Sequence, residues 1–213
     1  MTANHPFQRY DETDDAQFYV QPRLVNHIDN AAIRAATDLY RDHLPAGCDV
    51  LDLMSSWVSH LPADVQYGRV AGLGMNETEL RANPQLTDYT VQNLNRAPKL
   101  PYPDNTFNGG MVTVSVQYLT QPVVVYKELT RVLRPGSPFL TVFSNRMFPT
   151  KAVAVWQSLD DRGHQQLVRS FYEQTGLFDQ IDVLDRSPRG WGDPLFAVVG
   201  RVKKEGRFIA VAT

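Results

Sequence analysis

The chain has 213 residues, a formal net charge of −2 and a single cysteine, Cys48. This length suits one domain with a full core and is short for two. The near-neutral charge lacks the basic surplus typical of nucleic-acid binders, and one cysteine excludes an internal disulfide or a thiolate zinc cluster. No apolar run is long enough to span a bilayer, and the acidic first residues do not fit a signal peptide. We therefore predict a soluble cytoplasmic protein.

The first half of the chain alternates predicted helices and strands. Polar residues predict a flexible segment up to residue 17, followed by one domain over residues 18–213. Apolar residues at helical spacing predict a helix over residues 23–43. Short apolar runs then predict strands. Asn76, with Glu79 three residues later, predicts a helix cap after the second strand. The three strands of this half are predicted at residues 48–54, 69–74 and 88–94.

The second half continues the alternation. A helix over residues 122–133 separates two apolar strands, and two further helices precede the last two strands. Short apolar runs alternating with helices are typical of a parallel sheet covered on both faces, which makes the fold class α/β. Residues 207–213 are predicted as either a short extra strand or a tail. The predicted strands are residues 111–116, 139–144, 180–184 and 195–199, and the two late helices are residues 151–159 and 163–176.

Two turn motifs in the second half resemble a known enzyme family. LPYPDNTFN precedes the fourth strand at residues 100–108, and RVLRPG precedes the fifth strand at residues 131–136. Together they resemble class I S-adenosylmethionine (SAM) dependent methyltransferases, over roughly residues 50–199. The resemblance implies a Rossmann-like, doubly wound seven-stranded sheet, mostly parallel with an antiparallel last strand and flanked by helices. Three further motifs resemble a cyanobacterial and plant subgroup of type 11-like methyltransferases: SSWVSHLP, GLGMNE and FSNRMFPTKA.

The resemblance implies a SAM site at the carboxyl ends of the strands, beside the first strand. Asp52 matches the family's first acid, but Ser55, Ser56 and Trp57 replace the glycines that usually follow it. Trp57 would either wall the pocket or fill it. Gly74 stands where the family has its ribose-binding acid. The predicted cofactor-binding residues are Asp52, Ser55, Ser56, Trp57, Gly74, Met75, Asn93, Leu94, Asn95 and Ser115.

Four residues near strand ends are candidates for acting on the methyl acceptor. His60 is a candidate base and Tyr118 a candidate catalytic and substrate-orienting hydroxyl. Arg146, with Asn145, is a candidate for binding an anionic substrate group. Three of the four have a structural alternative: a surface histidine for His60, core packing for Tyr118 and a surface salt bridge for Arg146. No spacing of His, Cys and carboxylate residues indicates a metal site.

The leading hypothesis is a SAM-dependent methyltransferase that acts on an unidentified small molecule. Nucleic-acid binding and membrane insertion are not expected, and the oligomeric state stays open. The alternative is a non-catalytic methyltransferase-fold protein that has lost SAM binding and serves as a binding or assembly module. The missing glycines and the missing acid at Gly74 favour that alternative. His27 and Asp29 are predicted either to cover the pocket as a lid pair or to lie on a solvated helix face.

Overall fold

The structure is a computed structural model that describes residues 5–204. Seven strands form one sheet in the order β3-β2-β1-β4-β5-β7-β6. Neighbours among β1 to β5 run parallel, whereas β7 runs antiparallel to both β5 and β6. This confirms the predicted Rossmann-like sheet and its antiparallel last strand. The strands are β1 Val50–Ser55, β2 Val70–Gly74, β3 Asp88–Val91, β4 Gly109–Thr113, β5 Pro138–Phe143, β6 Phe178–Asp185 and β7 Phe196–Val202.

Helices cover both faces of the sheet. One hydrophobic cluster packs α4 and α6 against one face, with Tyr126 and Tyr172 at its centre. A second cluster packs α2 against the other face through Ala36 and Leu39. Because strands buried on both faces favour apolar residues at most positions, β1 and β5 are largely apolar, with Asp52, Ser55 and Thr141 as their polar residues. The helices are α1 Asp15–Phe18, α2 Asn30–His43, α3 Glu77–Ala82, α4 Pro122–Val132, α5 Ala154–Gln157 and α6 Asp161–Thr175, with a 3₁₀ helix at Val116–Tyr118.

Several predicted boundaries differ from the structure. The helix predicted over residues 23–43 begins only at Asn30, because the Asp29 carboxylate accepts hydrogen bonds from the Ala31 and Ala32 amides at 2.9 Å and caps α2 there. The helix predicted over residues 151–159 is reduced to α5. The third and fourth strands end at Val91 and Thr113, so the residues after them form loops at the sheet edge. Residues 207–213 lie outside the described residues.

Residues 5–28, which we call the N-terminal strap, run across the carboxyl edge of the sheet. The sequence predicts flexibility up to residue 17, yet Arg9 and Asp15 are buried in the structure. Arg9 forms an isolated bridge with Val153, and its guanidinium pairs with the Asp15 carboxylate at 2.6 Å. The buried Lys151 ammonium lies 3.3 Å from the Asp15 carboxylate. The described part of the strap is therefore packed against the domain.

Among the helices of residues 5–204, none is both long enough and apolar enough to cross a membrane.

Candidate active site

A cavity of about 250 Å³ opens at the carboxyl ends of β1, β2 and β4. The chain leaves β1 towards β2 on one side and later returns to place β4 on the other. Such a reversal of strand order leaves a crevice beside the first strand, which is where doubly wound sheets bind ligands. The N-terminal strap covers this crevice through Asp15, Tyr19 and Arg23. We call this space the main cavity.

The structure brings most of the predicted site residues to the main cavity. Tyr118 and Arg146 line it, together with eight of the ten predicted cofactor-binding residues. Asp52, Trp57 and His60 instead line a smaller neighbouring cavity of about 50 Å³. Asn145 is exposed and lines neither of these two cavities. The eight residues are Ser55, Ser56, Gly74, Met75, Asn93, Leu94, Asn95 and Ser115.

Asp52 is a buried carboxyl that holds the loop after β1. Its Oδ2 accepts hydrogen bonds from the Ser55 hydroxyl at 2.6 Å and the Ser59 hydroxyl at 2.7 Å. Burial raises the pKa of Asp52 to about 7, and the two serine hydrogen bonds only partly oppose that rise. Asp52 therefore shapes the loop that bounds the main cavity and does not itself line that cavity.

Trp57 packs away from the main cavity. Its indole Nε1 donates a hydrogen bond to the Val25 carbonyl of the strap at 3.0 Å. Of the two sequence alternatives, in which the ring walls the pocket or fills it, the structure leaves the main cavity open and places the ring in the wall of the smaller one.

Gly74 lies where two strand ends approach closely. A Cβ at this position would stand 2.2 Å from the Ser55 carbonyl oxygen, so the backbone would have to shift to admit any side chain. The carboxylate of Glu79, on α3, lines the same cavity. The sequence pattern indicates Glu79 only as part of a helix cap and gives no sign that its side chain lines a cavity. That cap is present as well: the Asn76 side chain accepts from the Glu79 amide at 3.0 Å.

Glu79 connects three parts of the site. Its Oε2 accepts from the Ser56 hydroxyl at 2.6 Å, and its Oε1 accepts from the Arg23 amide at 2.7 Å. Glu79 is itself buried. Glu79 therefore supplies hydrogen-bond acceptor oxygens at the part of the sheet edge where Gly74 has no side chain.

The two predicted amides after β3 have different surroundings. Asn95 uses its side chain to join separate segments: its Nδ2 donates to the Asp15 carboxylate and the Tyr118 carbonyl, both at 3.0 Å. Its Oδ1 accepts from the Thr120 amide at 2.9 Å. Asn93 accepts from the Asn95 amide at 2.9 Å. Asn95 thus holds the strap in place, and Asn93 fixes the turn beside it.

Tyr118 and Phe148 form an aromatic wall. Their rings stack at 5.9 Å, and the Tyr118 hydroxyl accepts from the Phe148 amide at 2.8 Å. Burial raises the pKa of Tyr118 to about 12, so the hydroxyl stays protonated at neutral pH. Arg146 enters the same wall, and its guanidinium pairs with the Asp193 carboxylate at 2.6 Å. Tyr118 therefore packs in the core and Arg146 forms a salt bridge, as the structural alternatives for these residues predict. Both residues also line the main cavity.

His60 has an unusual backbone and a shifted titration. Its φ of 57° is left-handed, and burial is the main cause that lowers the pKa of its imidazole to about 4. The ring is therefore neutral at pH 7. Its role as a base stays a prediction.

Backbone strain concentrates at this edge. Met54, near the end of β1, and Val114, the residue after β4, have φ values of 56° and 45° and line both cavities. A β-branched residue at positive φ costs conformational energy and persists only where its surroundings impose it. No group of three or more potential metal-binding side chains is found among residues 5–204.

Comparisons with known proteins agree with this geometry. A family model described as a methyltransferase domain matches residues 55–141. The biotin biosynthesis bifunctional protein BioHC of Teredinibacter turnerae is 24% identical over 173 residues, which cover 74% of this chain and 30% of that protein. The chain thus spans less than a third of the length of this curated relative.

Two solved structures illustrate the fold. A SAM dependent methyltransferase from Aquifex aeolicus superposes with a TM-score of 0.58 at 16% identity, covering 81% of this chain and 91% of that one. The [4+2]-cyclase SpnF superposes with a TM-score of 0.59 at 17% identity, covering 81% and 82%. The chain therefore has the class I SAM-dependent methyltransferase fold. Because a cyclase shares it, activity has to be argued from the site.

Proposed function

We propose that this protein binds SAM in the main cavity and transfers its methyl group to a small molecule. The observation that carries the proposal is an open cavity, with a largely apolar lining and some polar groups, at the strand ends where doubly wound sheets bind nucleosides. The match of residues 55–141 to a methyltransferase domain supports it. The finer resemblance to a cyanobacterial and plant subgroup stays a prediction.

The residues of the main cavity fit the parts of SAM. Leu73, Leu94 and Leu119 offer apolar surface for a base, and Asn93 offers an amide. Glu79 offers carboxylate oxygens to the ribose hydroxyls, in place of the ribose-binding acid that the family has at the position of Gly74. Ser55 and Ser56 border the space for the amino-acid end. When bound, SAM supplies an electrophilic methyl group on a sulfonium.

The chain's own contribution is positioning and the exclusion of water. Methyl transfer is an in-line displacement, so holding the acceptor in line accounts for much of the acceleration. The Tyr118 hydroxyl is protonated at neutral pH and would orient the acceptor as a hydrogen-bonding group. Phe148 and the strap limit access of water to the cavity. A separate base is needed only for an acceptor that must lose a proton.

Calorimetric titration with S-adenosylhomocysteine, the demethylated product of SAM, tests the cofactor site. The wild-type chain is expected to bind it. Ser115→Trp would fill the main cavity and is expected to abolish binding, whereas Ser158→Trp, at an exposed position, should leave binding intact. Absence of binding to the wild-type chain at millimolar ligand would overturn the proposal in favour of the non-catalytic alternative.

Transfer of label tests the reaction. SAM with an isotopically labelled methyl group is incubated with the protein and, in parallel, with the small-molecule and macromolecular fractions of a cell extract. We expect protein-dependent label in the small-molecule fraction. Label confined to the macromolecular fraction would contradict a small-molecule acceptor.

A further inference from the structure

Arg23 is a cation without an acidic partner at the main cavity. Its Nη2 donates to the Phe18 carbonyl at 3.0 Å, while its Nη1 is buried and has no hydrogen-bond partner. Within residues 5–204, no carboxylate lies within 4.0 Å of this guanidinium. By contrast, Arg9 pairs with Asp15, and Arg146 pairs with Asp193. Leaving a partly desolvated guanidinium donor unpaired costs free energy that an anionic ligand would recover.

Aromatic rings hold this guanidinium in place. Its Cζ lies 4.5 Å from the ring centroid of Phe18, 5.2 Å from that of Phe148 and 5.8 Å from that of Tyr19. Ring faces attract and orient a cation but satisfy none of its N–H donors. The planar fork of Arg23, a residue that lines the main cavity, is therefore held in a fixed orientation and keeps an unused N–H donor at Nη1.

Glu79 anchors the backbone of Arg23 without neutralising its side chain. The Glu79 carboxylate accepts from the Arg23 amide at 2.7 Å and from the Ser56 hydroxyl at 2.6 Å. These bonds fix the strap at the cavity edge. The Glu79 carboxylate is thus engaged by the Arg23 amide and the Ser56 hydroxyl, and it forms no ion pair with the guanidinium.

We propose that Arg23 binds the anionic group, a carboxylate or a phosphate, of a ligand in the main cavity. A guanidinium recognises either group through two parallel hydrogen bonds. The inference rests on the proposed function for the identity of the cavity's ligands. Two sources share this chemistry: the amino-acid end of the cofactor and an acidic group of the methyl acceptor.

The first arm of the test separates these sources. Wild type, Arg23→Gln and Arg23→Lys are titrated with S-adenosylhomocysteine and with 5′-methylthioadenosine, which lacks the amino-acid end. If Arg23 binds the cofactor, Arg23→Gln weakens S-adenosylhomocysteine binding by roughly tenfold or more and leaves 5′-methylthioadenosine unchanged. Arg23→Lys keeps the positive charge but loses the planar pair of N–H donors. Its affinity for S-adenosylhomocysteine should therefore lie between those of the wild type and Arg23→Gln. Arg34→Gln, an exposed change on α2, is the charge-matched control.

The second arm applies if S-adenosylhomocysteine affinity is unchanged in Arg23→Gln. Inorganic phosphate and acetate are then titrated into the protein with and without S-adenosylhomocysteine. Binding of either anion by the wild type and Arg34→Gln, and its loss in Arg23→Gln, assigns Arg23 to the acceptor. This arm needs no cofactor, so it still tests Arg23 if the wild type binds no S-adenosylhomocysteine and the proposed function fails. Arg23→Gln behaving like Arg34→Gln in every titration, with unchanged melting, would overturn the inference.

Discussion

At the scale of single residues, Asp52 is the clearest case of an ionisable side chain whose burial disfavours its charged form. Its carboxyl is buried at the end of β1, and no cation is among the causes that shift its pKa. Burial raises that pKa from the ordinary 3.8 to about 7, because the charged form loses its hydration. The folded protein therefore holds this proton more tightly than the unfolded chain does. Consequently, the contribution of Asp52 to stability falls as pH rises from 3.8 to about 7.

Replacing Asp52 by Asn should remove this pH dependence. The free energy of unfolding of the variant minus that of the wild type should grow by about 1.4 kcal/mol per pH unit between pH 4 and 7, on the order of 4 kcal/mol in all, and then level off. The measurement is urea unfolding at a series of pH values. A difference that stays flat across this range would show that Asp52 titrates normally.

Among the elements, the N-terminal strap depends on a buried cation. The Lys151 side chain is fully buried, and its ammonium donates to the Thr13 carbonyl at 2.8 Å and lies 3.2 Å from the Asp11 carboxylate. With Asp15, two carboxylates of the strap therefore face one ammonium that follows β5 in the chain. Near the strap's other end, the Asn76 side chain donates to the Tyr19 carbonyl at 2.8 Å.

Lys151→Met should destabilise the protein by about 3–5 kcal/mol, because it removes a buried ammonium from the buried Asp15, which then keeps only Arg9 as a cation, and from the Thr13 carbonyl. Urea unfolding measures the loss, and limited proteolysis should locate new cleavage within residues 5–28. Arg96→Ala is the matched control, since Arg96 pairs with Asp14 of the same strap but is largely exposed. That change should cost less than about 1 kcal/mol. Equal effects of the two changes would contradict a special role for the buried ammonium.

For the whole molecule, the sheet and the strap together form the cavity. The sheet supplies a rigid floor through the paired ends of β1, β2 and β4, and the strap supplies the opposite wall. The contacts that close the cavity join distant parts of the chain: Arg23 to Glu79, 56 residues apart, and Asp15 to Asn95, 80 residues apart. A ligand in the cavity would therefore stabilise both parts together.

S-adenosylhomocysteine at a hundredfold excess over its dissociation constant should raise the free energy of unfolding by about 2.7 kcal/mol. Hydrogen exchange should slow both in residues 5–28 and at the ends of β1 and β2, since both border the main cavity. The outer strand β6 serves as the internal reference and should not change. Protection limited to the sheet, with the strap unaffected, would show that the strap is not part of the binding site.

The alternation of short apolar runs with amphipathic helices determined the fold class from the sequence alone. Burial on both faces dictates the residue pattern of each strand, so β1, β4 and β5 were recognisable without any knowledge of their partners. The turn motifs at residues 100–108 and 131–136 pointed to the same sheet. Local signals also located the Asn76 cap and the end of α6 at Gly176, because these depend on neighbouring residues only.

The tertiary structure decided which side chains face the cavity. The sequence pattern could not show that Asp52 is turned towards two serines, or that Trp57 packs on the strap. Arg23 and Glu79 were not identified as site residues, since each acquires that place only when the strap crosses the sheet edge. The physical reason is range: strand and helix patterns arise from contacts within a few residues, whereas this cavity is closed by hydrogen bonds and ion pairs between segments far apart in the chain.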